Sequence, residues 1–503
     1  MVSKGAGNKR SNRMFPPWAV PSAIILACVL GYLPTMTVGF LADDYVILNN
    51  IRNGVIIELG SGGMFFRPFV WLTFSLNWFI FGHSAVGFHA VNLLLHIAAS
   101  LGVAACAYII LRRRSAGLVA GLIFAMHPAH PEAVVWVAGR YDVMSGALLA
   151  WSLYCYLRSR EPEVTGARRL RAVSLVLFAL ACVSKELAFT FPAVILLCGL
   201  IPVGNSPATS TGMKSNVKYI LPYFIVAALI FAWRLERLGG IGGGEYVPQT
   251  LAGIFSASVL YHAIIQPLAV LLLPLNRPLL EAVDLSWIVL VHVFLLAPML
   301  LMLIDFRWRI IVFCAAAALI CALPTAYTGI LEDSLRNSRF LYTPSMFFSI
   351  LLAALFISAG GKPRMERVAG GLAVIYIATL FLILNQNNDT WRKAGDMVQR
   401  ASSSTVELIE RHKGEWGSSR TELVIFNVPR TYIGALTFDW GLPEMLMLRY
   451  GDELKGVDIE VIHGGILVPE DVRKLDEAVE QKAVVWFFNS ERWEYVDYET
   501  IEH

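Results

Sequence analysis

The chain has 503 residues, of which 56% are hydrophobic and 16% charged, and its formal net charge is +3. Soluble proteins carry roughly 45–50% apolar and about 25% charged residues, and a soluble domain cannot hide so much apolar surface. The composition therefore excludes a soluble enzyme, a disordered scaffold and a collagen-like fibre. It predicts a polytopic α-helical membrane protein.

The small net charge hides an asymmetry between two parts of the chain. Residues 388–503 contain 13 Lys and Arg against 22 Asp and Glu, whereas residues 1–387 contain 28 against 16. An acidic tail argues against a nucleic-acid partner, because such binding needs a basic face. The basic excess of the first part is typical of cytoplasmic loops between membrane spans.

Apolar runs of about 20 residues are long enough to cross a bilayer, and about eleven spans are expected. In chain order they lie near residues 18–38, 86–111, 116–126, 143–157, 172–183, 187–203, 218–233, 286–304, 310–328, 344–360 and 368–385. Residues 41–85 are predicted to form a large external loop with interfacial helices. The proline-bounded segment 251–273 is interpreted as external or re-entrant, because this choice keeps more Lys and Arg inside.

The composition changes at residue 388. Three β-rich runs at 422–428, 457–462 and 483–489 alternate with helical patterns near 394–413, 440–450 and 470–481. Such alternation predicts a small α/β domain. We therefore expect a membrane catalytic domain over residues 1–387 and an external C-terminal domain over residues 388–503.

A pair of acidic residues, Asp43 and Asp44, directly follows the first predicted span. Ionisable residues close to the membrane interior are costly and are therefore candidates for function. Two adjacent carboxylates can divide tasks, one as a general base and the other orienting a group or a metal ion. The alternative is a solvated loop start or a helix cap, since Asp is common at helix N-termini.

A second cluster of ionisable residues follows the third predicted span and contains His127, His130, Glu132, Arg140 and Asp142. His130, Glu132 and Asp142 are candidate ligands for a divalent metal ion, but packing and hydrogen bonding are commoner roles for such histidines. Arg140 can hold a lipid phosphate or pair with Asp142.

Further cations are expected on the external side of the membrane. Lys185 lies in the loop between spans five and six, where pairing with Glu186 is the alternative to function. Arg336 and Arg339 lie outside on the predicted topology, against the positive-inside tendency. This position indicates an external anion, with pairing to Glu332 and Asp333 as the alternative. All these candidates share one face, which suits group transfer from a phosphate-linked lipid.

Six short motifs follow one another between residues 43 and 345. They are D-D at 43–44, R-P-F at 67–69, F-H-A-V-N-L-L-L-H at 88–96, H-P-A-H-P-E-A-V-V-W-V-A-G-R-Y-D at 127–142, S-K-E at 184–186 and R-F-L-Y-T-P-S at 339–345. Together they resemble the GT-C membrane glycosyltransferases. The nearest branch is the transmembrane O-mannosyltransferases that carry tetratricopeptide repeats.

The resemblance implies inverting, single-displacement transfer of a sugar from a polyprenyl-phosphate donor on the external or lumenal face. It implies that Asp43 or Asp44 is the catalytic acidic residue of the first external loop. The donor phosphate would be held by basic residues, with Arg67, Arg140, Lys185 and Arg339 as candidates. The cofactor that it implies, for some members, is a divalent metal ion near Glu132 and Asp142.

No tetratricopeptide repeat is found in this sequence, which leaves a glycan, a lipid or a protein as the acceptor. A short repeat-free chain indicates a bacterial enzyme of the cytoplasmic membrane, with undecaprenyl phosphate as carrier and a periplasmic active site. A transporter or flippase is one alternative, but it predicts inverted repeats that the sequence does not show. A non-catalytic assembly protein is another, but it has no need of Asp43 and Asp44.

Overall fold

The computed structural model describes residues 16–54, 65–201, 212–240, 261–280, 308–324, 331–358, 363–414, 416, 422–451, 453–464, 469–481 and 483–498. The helices within these ranges are α1 (Ala19–Tyr32), α2 (Asp43–Arg52), α3 (Pro68–Phe81), α4 (Ala85–Leu111), α5 (Arg114–Ala125), α6 (Pro131–Val134), α7 (Arg140–Ser159), α8 (Ala167–Cys182), α9 (Phe191–Leu197), α10 (Gly212–Leu238), α11 (Gln266–Leu272), α12 (Trp308–Ala322), α13 (Tyr342–Ser358), α14 (Pro363–His412), α15 (Leu442–Tyr450) and α16 (Pro469–Glu480). Short 3₁₀ turns at Leu33–Thr35, Glu186–Thr190, Cys198–Leu200, Arg277–Leu280 and Ser338–Leu341 and a π turn at Tyr261–Ile265 join some of them.

Four of the described helical segments are long and apolar enough to cross a membrane: Ala85–Leu111, Lys218–Leu238, Ser338–Ile357 and Glu366–His412. Shorter apolar segments lie at Ala19–Thr35, Pro68–Phe81, Arg114–Ala125, Glu186–Leu200 and Trp308–Ala322. The count of eleven spans stays a prediction, and the span expected at 286–304 lies outside the described residues.

Some helices end where the sequence predicts, and others do not. Helix α4 matches its predicted span closely because no proline interrupts its apolar run. The first span is helical only to Tyr32, because Pro34 lacks the N–H needed to continue an α-helix, and a 3₁₀ turn follows. The predicted span 187–203 is divided into the 3₁₀ turn Glu186–Thr190, α9 and a second 3₁₀ turn.

Helix α14 differs most from the prediction, because its 50 residues continue through residue 388. The prediction ended the last span at residue 385 and began a new domain at residue 388, where the composition changes. However, the Asn387 amide donates to the carbonyl of Pro128 at 2.8 Å, and the Asn388 amide donates to the carbonyl of Gly31 at 2.8 Å. Because these amide side chains bind other segments, they do not compete for the backbone hydrogen bonds of α14. The last predicted span and the helix predicted near 394–413 therefore form one continuous helix.

The C-terminal part contains the predicted α/β arrangement. Its four-stranded sheet has the order β4 (Asp458–His463), β1 (Glu422–Val428), β5 (Val484–Asn489), β6 (Glu494–Asp497), and a hairpin joins β2 (Thr431–Tyr432) to β3 (Ala435–Leu436). Strand β1 pairs in parallel with β4 and β5, while β6 is antiparallel to β5. The three predicted strands are confirmed within one or two residues, and the sequence analysis missed the hairpin and β6.

The C-terminal sheet domain packs directly on the loop predicted to be external. Helix α15 contacts α2, and Arg52 donates to the carbonyl of Leu448 at 2.8 Å. The described part of segment 251–273 is short, and its Leu271 carbonyl is hydrogen-bonded to Nε2 of His127 at 3.2 Å. The sheet domain, Asp43 and the block around His127 therefore meet on one side of the helical body.

Candidate active site

The two neighbouring carboxylates, Asp43 and Asp44, occupy the first turn of α2 but have different surroundings. Asp44 is 1% exposed, and both of its oxygens are occupied. Oδ2 accepts from the N–H of Leu41 at 2.9 Å, and Oδ1 accepts from the N–H of Ala138 at 2.8 Å. Asp44 thus fastens the start of α2 to the 127–142 block.

Asp43 is half-buried, and its carboxylate makes no hydrogen bond or ion pair with the part of the chain that the structure describes. Burial raises the pKa of Asp43 above its usual range, while the positive charges of Arg339 and Arg67 lower it. Asp439 and Glu444 of the C-terminal domain raise this pKa further. Asp43 is therefore a carboxylate without a partner among the described residues, and two cations, Arg339 and Arg67, lie near it.

The Arg140 side chain is fully buried at the start of α7. Its Nε donates to Oδ1 of Asn92 at 2.8 Å, and Nη1 donates to Oδ1 of Asn77 at 2.7 Å. Nη2 donates to the carbonyl of Phe88 at 3.0 Å, and the guanidinium stacks on the ring of Phe74 at 4.4 Å. Because these bonds use the guanidinium nitrogens inside the protein, the geometry favours a structural role over the expected phosphate contact.

The expected pairing of Arg140 with Asp142, and of Lys185 with Glu186, is not what the structure contains. Lys185 instead forms an ion pair with Asp142, and both side chains are at most 4% exposed. Arg67 pairs with Glu186, to which its Nε donates at 3.0 Å. The alternative pairings Arg140–Asp142 and Lys185–Glu186 are therefore wrong, whereas the alternative pairing of Arg336 with Glu332 is present at 3.3 Å.

Arg339 forms a third pair, with Glu132, whose Oε2 also accepts from the backbone N–H of Arg339 at 3.0 Å. The ring of Phe340 lies 4.6 Å from Nζ of Lys185 and 4.6 Å from the guanidinium carbon of Arg339. Arg339 and Arg67 lie near Asp43, and Lys185 lies near both of these cations. Arg339 and Arg67 retain more solvent access, at 20% and 12% side-chain exposure, than Lys185 at 3%.

The residues that sequence and resemblance assign to a divalent metal ion do not form a common ligand set. Glu132 is bound by Arg339, Asp142 is bound by Lys185, and Nε2 of His130 is hydrogen-bonded to Ser345 at 2.8 Å. Within the described ranges, no group of three acidic, histidine or cysteine residues is arranged to hold a metal ion. The residues present therefore do not fit this cofactor.

Two contributions to the site were missed by the sequence analysis. Asn77 lies in the apolar helix α3, where a single buried amide is a signal that something polar must face it. Asp439 and Glu444 belong to the C-terminal domain, and no spacing along the chain connects them with Asp43. The acidic composition of the tail was the one signal available for them.

Comparison with curated proteins finds relatives among membrane O-mannosyltransferases. The chain is 36% identical over 215 residues to protein O-mannosyl-transferase Tmtc1 of Drosophila melanogaster, which is 38% of this chain and 24% of that protein. It is 33% identical over 236 residues to protein O-mannosyl-transferase TMTC1 of Homo sapiens, which is 41% of this chain and 27% of that protein. The chain thus spans about a quarter of the length of these relatives, and no family profile matches it.

Comparison with solved structures identifies the fold. The crystal structure of ArnT from Cupriavidus metallidurans bound to undecaprenyl phosphate superimposes with a TM-score of 0.53 at 10% identity, covering 95% of this chain and 94% of that one. The apo structure of the same protein gives a TM-score of 0.51. The similarity to transmembrane O-mannosyltransferases and the GT-C-like fold, both expected from the sequence motifs, are therefore confirmed.

Proposed function

We propose that this protein is a membrane glycosyltransferase that moves a sugar from a polyprenyl-phosphate donor to a hydroxyl acceptor on the external face. The observation that carries the proposal is the carboxylate of Asp43, which has no partner within the described ranges and lies beside Arg339 and Arg67. Similarity to O-mannosyltransferases and the fold of ArnT support the reaction class.

In the proposed step, Asp43 takes the proton of the acceptor hydroxyl as the oxygen attacks the anomeric carbon. The bond between that carbon and the phosphate oxygen breaks, and the electron pair leaves with polyprenyl phosphate. Attack opposite the leaving group inverts the anomeric configuration. The phosphate is a good leaving group, so a positioned base and an aligned acceptor supply the catalysis.

Arg339 and Arg67 are proposed to hold the donor phosphate. A guanidinium has five N–H donors, and each of these residues uses only some of them. Arg67 donates to Glu186 through Nε and Nη2, and the Arg339 side chain donates to Glu132 through Nη1. The remaining donors make no hydrogen bond to the described part of the chain, so a phosphate can bind without breaking either ion pair. Lys185, which is nearly inaccessible, contributes charge from behind them.

Arg140 is proposed to organise the site without contacting the donor. Its bonds to Asn92 and Asn77 hold α7 against α4 and α3. This arrangement places the N–H of Ala138 within hydrogen-bond distance of the Asp44 carboxylate. The donor-phosphate set expected from the resemblance is thereby divided into two contacting residues, Arg67 and Arg339, and two supporting ones, Lys185 and Arg140.

The proposal is tested with the purified full chain in liposomes, using undecaprenyl-phosphate [¹⁴C]mannose as donor and a glycan, a lipid-linked glycan and a Ser/Thr-rich peptide as acceptors. We expect release of undecaprenyl phosphate and a labelled product of opposite anomeric configuration with one acceptor. Asp43→Asn should abolish both, whereas Asp458→Asn, at the exposed start of β4, should have no effect. A donor that stays intact with every acceptor would contradict the proposal.

A further inference from the structure

Residues 437–441 of the C-terminal domain, called the docking segment here, lie between β3 and α15. This segment contacts two loops of the helical body at once. One of these loops leads into Asp43, and the other leads into the 3₁₀ turn that carries Arg339. A single short segment is therefore in contact with both sides of the proposed site.

The first contact is with Ala42, the residue that precedes Asp43. Its N–H donates to the carbonyl of Thr437 at 2.9 Å. Ala42 has φ of +46°, which is uncommon for a residue with a side chain and persists only where its surroundings enforce it. Gly441, at φ of +91°, lies so close that a Cβ there would overlap the Ala42 carbonyl oxygen. The docking segment thus fixes the backbone of Ala42, on which the orientation of Asp43 depends.

The second contact is an ion pair between Asp439 and Arg336 at 2.7 Å. The Asp439 side chain is only 8% exposed. Arg336 belongs to a loop in which Leu335 and Asn337 both have positive φ, so the path of this loop depends on contacts that hold it. Three residues after Arg336 the chain reaches Arg339. Asp439 therefore fixes the loop that delivers the proposed phosphate-binding cation.

We propose that Asp439 and Gly441 are positioning residues, which hold the loop of Asp43 and the loop of Arg339 at a fixed separation. The inference rests on the proposed function, because the distance between the two loops matters only if the base and the donor phosphate must lie on opposite sides of one anomeric carbon. It assigns the C-terminal domain a part in the active site itself, in addition to any role in acceptor binding.

The negative charge of Asp439 also has a consequence for the pH dependence of transfer. Arg339 and Arg67 lower the pKa of Asp43, whereas Asp439 and Glu444 raise it. Removing the negative charge in Asp439→Asn should therefore lower the pKa of Asp43. Because Asp43 acts as a base, the acid limb of the pH–rate profile should move to lower pH in this variant.

Gly441→Ala tests the contact with Ala42, and Gly456→Ala is its matched control. Gly456 belongs to the same domain and has φ of +85°, but a Cβ there would meet nothing within 4 Å. Both variants carry the same backbone strain, and only Gly441→Ala displaces Ala42. We expect kcat for undecaprenyl-phosphate mannose to fall about 10²-fold in Gly441→Ala with little change in KM, since small misplacements of reacting groups are costly. Gly456→Ala should keep the wild-type kcat.

A second readout does not depend on turnover. All seven native cysteines are buried, so a thiol reagent reports on an introduced cysteine. We would measure the labelling rate of Asp43→Cys alone and combined with Gly441→Ala, Asp439→Asn or Gly456→Ala. A several-fold change with the first two and none with Gly456→Ala is expected. Equal rates in all four proteins would overturn the positioning role. Failure of the wild type to use the donor would instead contradict the proposed function and leave the labelling result decisive.

Discussion

The regions around the adjacent residues Asp44 and Asp43 differ in how the carboxylate is bound. Around Asp44, two backbone N–H groups and the nearby buried Arg140, whose own bonds go to Asn92 and Asn77, make a closed polar network. Around Asp43, the carboxylate has no partner among the described residues, and the nearby Arg339 and Arg67 retain unused donors. The closed region has its hydrogen bonds satisfied by the protein, whereas the open region is the one proposed to bind the substrate.

This difference shows why residue type and position near a membrane do not identify a catalytic group. A buried charge whose bonds are all made inside the protein stabilises one arrangement of helices. A charge held near others without a partner costs stability and is retained where chemistry needs it. The proposed division is therefore between a structural Asp44–Arg140 region and a reactive Asp43–Arg339–Arg67 region.

The largest expected effect separates the two carboxylates. Asp43→Asn should slow transfer by roughly 10²–10⁴-fold, because a positioned general base is lost. Its unfolding temperature should not fall, because the Asp43 carboxylate accepts no hydrogen bond from the described residues that an amide would lose. Asp44→Asn should instead lower the unfolding temperature, because an amide cannot accept from both Leu41 and Ala138. Turnover and thermal unfolding of both variants decide this, and equal behaviour would remove the division.

A smaller effect is expected when one member of a buried ion pair is removed. Lys185→Gln leaves Asp142 as a buried charge without its partner, which destabilises proteins by about 3–5 kcal/mol. Adding Asp142→Asn should restore most of the lost stability, whereas adding Glu186→Gln should not. Thermal unfolding of the single and double variants measures the recovery. Rescue by Glu186→Gln would mean that the sequence-adjacent pairing is the correct one.

The structural assignment of Arg140 predicts a further loss of stability. Arg140→Gln leaves acceptors of Asn92 and Asn77 without donors, at about 1–3 kcal/mol for each buried group. Arg277→Gln is the matched control, because Arg277 pairs with Asp333 at 62% and 68% side-chain exposure and such pairs contribute about 0–1 kcal/mol. Chemical denaturation compares the two. Normal stability with weakened binding of undecaprenyl phosphate in Arg140→Gln would return Arg140 to the phosphate site.

The pH dependence of transfer gives the finest test of the open region. Asp43 accepts a proton only when ionised, so kcat/KM should fall as pH falls through its pKa. Burial raises that pKa, and the acid limb should therefore lie above the ordinary value for Asp of about 3.9. A limb at or below the ordinary value would indicate that another group is the base.

The sequence predicted elements best where one local cause decides them. Helix α4 follows from an uninterrupted apolar run, and the three central strands follow from β-rich runs between turn signals. Helix α14 was divided in the prediction because the composition changes at residue 388, but Asn387 and Asn388 bind Pro128 and Gly31, which only the folded chain brings near.

For the candidate site, the sequence supplied the residue types and their common face. It did not supply their partners, because Lys185 does not pair with Glu186 beside it and instead pairs with Asp142 at the start of α7. The role of the docking segment was likewise out of reach, since Asp439 and Gly441 meet Arg336 and Ala42 only through the docking of the C-terminal domain. Contacts between distant segments are set by packing and leave no spacing pattern in the chain.

The most direct test of Asp43 as the base is chemical rescue with azide, a nucleophile that needs no proton removed. Asp43→Asn and Asp44→Asn would each be given undecaprenyl-phosphate [¹⁴C]mannose with sodium azide in place of a hydroxyl acceptor. We expect azide to restore release of undecaprenyl phosphate in Asp43→Asn, with mannosyl azide of inverted configuration as product, and to leave Asp44→Asn impaired. Rescue of Asp44→Asn, with none for Asp43→Asn, would contradict the account.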